Sequence, residues 1–253
     1  MRDISEENIQ GDVMNNEFRA GNVWSQTFNV VKSNFPVMLL FAALNYIPTL
    51  ADNILGEESS AYLSLSMIMA VMLPLLLQGA MVYGVYRYLT GHPFAVSLAI
   101  NSALGRFWHL LGVTIVVMVL ACVGLVILVI PGIVASLILF VAIPVAMVED
   151  VSVGQALARS RDLTSGRLWR LFGLGVIATI FSILMAGASL GVQIVVGGYS
   201  LDSEVVNTGM SLRALVITTP LGILTEGLSA AVFGVVGVVS YYELRRDLSL
   251  IHI

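Results

Sequence analysis

Glu149-Asp150-Val151-Ser152-Val153-Gly154-Gln155-Ala156-Leu157-Ala158-Arg159-Ser160-Arg161-Asp162-Leu163-Thr164-Ser165-Gly166-Arg167-Leu168-Trp169-Arg170-Leu171 is the longest polar island between Leu98 and Tyr199, and it holds four of the 12 basic residues. Ser152 and Gln155 stand at capping-box spacing, which predicts a helix start. Val153, Ala156, Leu157 and Ser160 then share one helical face, and Gln155, Arg159 and Asp162 another. Thr164-Ser165-Gly166 ends that helix, and Arg167-Leu168-Trp169-Arg170 leads directly into an apolar run. An amphipathic helix lying flat, a glycine break and an Arg/Trp anchor at the mouth of a span make an interfacial design. The stretch predicts a surface helix between two membrane spans.

Composition agrees with that reading. The chain has 253 residues, 58% of them hydrophobic and only 11% charged, with a mean hydropathy of +0.93. Soluble domains carry roughly 25% charged residues, so this chain cannot clothe itself in a solvated surface. The net charge of −4 says little until the basic residues are placed. The single cysteine, Cys122, lies in an apolar run, which excludes a disulfide framework or a cysteine metal site within one chain. The polar N-terminal stretch argues against a cleaved signal peptide.

Residues 1–21 read as a mobile polar tail, 22–247 as a single membrane domain, and 248–253 as a short C-terminal tail. Asn22 is placed to cap a helix in which Trp24, Phe28, Val31 and Phe35 share a face. The first span follows at Phe35–Leu50 and the second from about Tyr62 to Tyr88, ended by Gly91-His92-Pro93. Pro93 suits the first turn of a further helix, with Val96, Ala99, Ile100, Ala103 and Leu104 on one face. Phe107 to Val148 has room for two spans of roughly 20 residues. Pro131-Gly132 is its only turn signal, and Pro144 is set to kink the returning helix. Leu171–Val196 and Ala214–Ser240 complete a six-span count.

Under that count 11 of the 12 basic residues fall on one side, and only Arg213 falls on the other. The positive-inside rule makes that side cytoplasmic, with both termini on it, in a bacterial inner membrane. Asn34-Phe35, Arg106-Phe107-Trp108 and Arg167-Leu168-Trp169 recur about 60–70 residues apart, which fits a threefold repeat of surface helix plus helical hairpin. The expected fold class is therefore all-α, a polytopic membrane protein of six transmembrane helices with amphipathic surface helices on the cytoplasmic side.

Candidate chemistry is sparse. Gly187-Ala188-Ser189-Leu190-Gly191 matches a nucleophile-elbow string, but it lies in an apolar helix with no histidine in reach and reads as a helix-packing face. His92, His109 and His252 do not pair at ligand spacing, so no metal or cofactor is expected and no catalytic residue stands out. Phosphate-loop and dinucleotide strings are lacking, and nothing points to nucleic acid. Glu226 is an ionisable group at membrane depth, where such groups face a bundle interior or a wet cavity. Gln78 and Asn45 are polar partners that other spans offer it. Its competing readings are a proton- or cation-responsive site, a protonated carboxyl bonded between helices, and a shallower residue if the span starts at Pro220. Arg159, Arg161, Arg167 and Arg170, with Trp169 at headgroup depth, read either as a topology signal or as a pocket for anionic lipid headgroups.

Leu89-Thr90-Gly91-His92-Pro93, Pro131-Gly132-Ile133, the string from Gln155 to Arg167, and Tyr241-Tyr242-Glu243-Leu244-Arg245 occur in that order. In these strings the chain, from about residue 20 to 247, resembles the bacterial six-helix membrane-domain family named after glycerophosphoryl diester phosphodiesterase. The resemblance implies fold and location. Some members of that family carry a separate soluble phosphodiesterase domain, which this sequence lacks, so it implies no such activity here. The leading expectation is a non-enzymatic component that works on or near membrane phospholipids as binder, scaffold or translocation element. The rival is a small-solute or proton-coupled transporter using Glu226. Phospholipids are the expected partner, and a protein partner or a second copy of the chain stays open.

Overall fold

The computed structural model describes residues 20–48, 60–197 and 220–251, and every element among them is helical. The elements are α1 (Ala20–Ser33), α2 (Phe35–Asn45), α3 (Ser60–Leu89), α4 (Val96–Gly105) and α5 (Phe107–Ile127). After them come α6 (Val129–Ile138), α7 (Ala142–Val148), α8 (Val153–Thr164) and α9 (Leu168–Gly197). A π-helical turn at Ile223–Gly227 then runs into α10 (Leu228–Ile251).

Five stretches are long and apolar enough to cross a membrane: Ile68–Leu89, Phe107–Val126, Val129–Val148, Leu168–Val192 and Pro220–Asp247. α1 and α2 meet at 85° and count as a sixth only if the bent pair is one span. Residues 1–19 of the predicted tail, and residues 49–59 and 198–219 between the first and second and the fifth and sixth predicted spans, lie outside the described residues. Helix already runs through Ala20 and Gly21, so Asn22 sits inside α1 and does not cap it. α10 extends to Ile251, through the start of the segment read as a tail.

α8 forms as its sequence predicts. Ser152 is the N-cap, accepting from the Gln155 backbone N–H while the Gln155 side chain accepts from the Ser152 N–H at 2.9 Å. Gly166 follows the helix with φ +75, a conformation that spares a glycine the Cβ clash other residues meet. Ala156, Ser160, Leu163 and Thr164 are fully buried, whereas Gln155 and Asp162 are exposed.

α5 and α6 form the expected hairpin, but the chain turns at Leu128, three residues before Pro131. Pro131 instead occupies the first turn of α6, where its missing N–H costs nothing. The arms touch at Gly124 and Gly132: a Cβ on Gly132 would sit 2.7 Å from the Leu125 Cα. The tip is wholly apolar, and Val126, Leu128, Val129 and Ile130 are 62–86% exposed.

The returning span breaks between α6 and α7, four residues upstream of Pro144, where a proline ring collides with the preceding turn. The Ala142 N–H donates to Leu139 O, so the Ile138 carbonyl loses its ordinary i+4 donor. Ser160 Oγ at 2.7 Å and Thr164 Oγ1 at 3.3 Å donate to it instead. The kink and the docking of α8 are therefore one arrangement.

Pro93 lies outside α4, which starts at Val96. Residues 92–95 stay non-helical, and they bring Phe94 to within 6.0 Å of the Phe41 ring, against the flat surface left by Gly84. Tertiary packing overrides the local proline preference here. Ala99 and Ala103 are buried as expected, while Leu104 is 54% exposed.

Candidate functional site

The described helices enclose a partly open cavity of ≈ 340 Å³ between α2, α3, α9, the π turn and α10. Pro74, Leu77, Gln78 and Met81 reach it from α3, at the spacing of one helical face. Phe41 and Asn45 come from α2, Ser182 from α9, and Ser229, Phe233 and Gly234 from α10. Gly227 allows the close crossing that shapes one wall, since a Cβ there would sit 2.7 Å from the Ala42 Cα. Asn45 stands about 15 Å along its helix from Phe35, and Gln78 about 16 Å from Leu89. Those distances are about half a 30 Å hydrocarbon core.

The polar groups of this cavity differ in what they already hold. Ser182 Oγ donates to Ala178 O at 3.0 Å, and Ser229 Oγ to Thr225 O at 2.7 Å. The side-chain amides of Asn45 and Gln78 hydrogen-bond to no described residue, and Gln78 is exposed. No charged side chain is among the described residues lining the space. Such a site offers two uncharged donor–acceptor groups set in apolar walls.

The sequence paired Asn45 and Gln78 as partners for Glu226, and the fold brings those two amides into one cavity. The Glu226 side chain lies outside the described residues. Its backbone belongs to the π turn whose last residue, Gly227, lines the cavity. Turns of this kind sit inside α-helices, frequently at functional sites.

The arginine cluster is distributed. Arg159 pairs with Glu149 at 3.5 Å, and Arg167 pairs with Asp247, both side chains of that second pair being only 15% exposed. Arg161, Trp169 and Arg170 are exposed, and the Trp169 ring stacks on Phe172. The Arg159 and Arg167 guanidinium groups thus serve as internal ties, and the Arg161, Arg170 and Trp169 side chains are exposed.

Sequence reading missed a second polar assembly. Glu149 Oε1 accepts from the Tyr241 hydroxyl at 2.9 Å, and that hydroxyl accepts from Arg245 Nη1 at 3.2 Å. Arg245 Nη1 also donates to the Tyr86 hydroxyl at 3.2 Å, joining α10 to α3. The Glu149 carbonyl accepts from Arg106 Nη1 at 3.1 Å, at the C-terminal end of α7 where a cation is favoured. Gln26 of α1 donates to Glu243 at 2.6 Å. The string Tyr241-Tyr242-Glu243-Leu244-Arg245 was visible, but partners 92 and 217 positions away were not.

Two further motifs do not assemble into sites. A Cβ on Gly187 or Gly191 would meet nothing within 4 Å, so these glycines make no close helix contact within the described chain. Among the described residues no group of three His, Cys, Asp or Glu could hold a metal ion.

Long apolar helices around a mid-bundle cavity define the class: an all-helical protein with about five helices fit to cross a membrane. The chain belongs to the family described as a domain of unknown function, DUF7847, which it matches over residues 35–244. No curated protein and no solved structure matches it.

Proposed function

We propose that this chain is a non-enzymatic membrane protein that takes an amphiphile from the bilayer, of phospholipid class, into its mid-bundle cavity. The observation that carries this reading is the pair of uncommitted amides, Asn45 and Gln78, in one partly open, apolar-walled space. A polar group at hydrocarbon depth is costly unless something pairs with it. The ester carbonyls of a phospholipid supply acceptors for the amide N–H groups, and Phe41, Leu77, Met81 and Phe233 supply the wall for the attached chain. In this reading the bent α1–α2 pair completes six spans and the arginine-rich end faces the cytoplasm of a bacterial inner membrane. Arg161, Arg170 and Trp169 then meet anionic headgroups there, each basic residue contributing about 1 kcal/mol of attraction.

Purification in mild detergent followed by native mass spectrometry with lipid identification tests it. The parent should retain phospholipid, and Asn45→Leu with Gln78→Leu should lose it while keeping a cooperative thermal transition. Equal lipid retention by parent and double variant sinks the cavity reading.

A second reading is favoured by one observation, the π turn that places the Glu226 backbone beside the cavity wall. Here the guest is a small solute whose movement is coupled to protons through Glu226. Liposome flux that depends on pH in the parent and not in Glu226→Gln would support it. A pH dependence shared by both proteins would remove Glu226 from the mechanism.

A further inference from the structure

The cavity does not run the length of the bundle, and what stops it is specific. On α10 the face that carries Ala230 and Gly234 continues through Val238 to Tyr241 and Arg245, at intervals of four, four, three and four. Val238 and Tyr241 are fully buried, and Tyr241 heads the fully buried side chains in size. On α3, Tyr86 lies two turns beyond Gln78, and its ring centroid is 6.1 Å from that of Tyr241. The two rings therefore fill the space between α3 and α10 on the arginine-rich side of the cavity.

We propose that Tyr241 and Tyr86, held together by Arg245 and Glu149, form a gate that closes the cavity toward the arginine-rich face. The inference rests on the reading of the cavity as a guest site, and adds how one end of that site is opened and shut. The plug consists of rings, and polar bonds fix it in place. Tyr241 donates to Glu149, Arg245 donates to both tyrosine hydroxyls, and Arg159 holds the same carboxylate from α8. Charge-assisted bonds of this kind are stronger than neutral ones and hold the two rings in one arrangement, so breaking one of them loosens the plug. Arg245 is itself exposed, so solvent reaches the outer layer of the clasp. α8 carries one of the clasp's partners, so a shift of that helix is transmitted to the gate through Glu149.

Thiol accessibility tests this without any knowledge of the guest. In a Cys122→Ser background, Ser229→Cys places a thiol in the cavity wall. Asp162→Cys marks the arginine-rich face, because Asp162 is exposed on α8. In vesicles where the Asp162→Cys protein reacts from outside, the Ser229→Cys protein should react slowly with a small water-soluble maleimide. Adding Tyr241→Phe, which keeps the ring and removes both hydroxyl bonds, should speed that reaction about tenfold, the scale of one lost charge-assisted bond. Arg245→Gln, at an exposed position, should do the same, and it serves as the variant if Tyr241→Phe does not fold. Fast labelling of Ser229→Cys with the clasp intact overturns the gate, as does an unchanged rate in a folded clasp variant. Lipid retention is read separately by mass, so a wrong guest and a missing gate give different results.

Discussion

Arg167 follows the glycine that ends α8 and reaches Asp247 near the end of α10, so one ion pair fixes the α8–α9 junction to the last helix. Both partners are largely withdrawn from solvent, and removing one leaves the other charge poorly paired. Arg167→Ala should therefore cost on the order of 1–3 kcal/mol, less than a fully buried pair because some solvent reaches both groups. A double-mutant cycle with Asp247→Asn, read by thermal unfolding in detergent, should show coupling. Additive losses would mean that the pair contributes nothing specific. The neighbouring Arg161 and Arg170 are more exposed, and the tie made by Arg167 was not legible in the sequence. Four arginines in one segment look alike until a partner 80 positions away claims one of them.

At the scale of elements, α8 was the most legible part of the chain because its signals are local. The capping box, the apolar face and the terminal glycine all lie within about four turns. The broken span was half legible: Pro144 announced a kink, while nothing nearby showed where the freed carbonyl would find donors. Ser160 and Thr164 supply them, which gives a physical reason for hydroxyl residues on the buried face of an otherwise apolar contact. Ser160→Ala should cost on the order of 1–2 kcal/mol, and the double change with Thr164→Val should exceed the sum of the single ones. Hydrogen exchange should quicken at residues 139–142 in the double variant; unchanged exchange there would show that α8 docks without supporting the break. Gly132→Ala should destabilise by about 1–3 kcal/mol, because its Cβ meets backbone that cannot swing aside.

For the molecule as a whole, hydropathy and the placement of 11 of 12 basic residues on one side indicated spans and orientation. The described helices bear out the all-α class, and about five of them are long and apolar enough to span a membrane. The cavity was legible only as a pair of isolated polar residues, Asn45 and Gln78. Their meeting depends on how four helices cross, which periodicity along one helix does not encode. The orientation leads to a direct expectation. Single cysteines at Glu57 and Asp202 should react with an impermeant reagent from one face of the membrane, and one at Asp162 from the opposite face. Labelling of all three from the same face would remove the six-span arrangement.

The apolar tip joining α5 to α6 has a consequence for the surrounding lipid. A hairpin that emerged into water would carry polar residues at its bend, yet this one presents valine, leucine and isoleucine there. In a bilayer an apolar tip is more stable among acyl chains than in water, which favours lipid that matches the hairpin's reach, by thickening around it or by letting it lean. Thermal stability should accordingly rise with acyl length in reconstituted bilayers until the bend is covered, and then level off. Replacing Val129 and Ile130 with serine should flatten that dependence, because a wettable bend no longer needs the cover. A length dependence identical in the parent and the serine variant would place the mismatch elsewhere in the bundle.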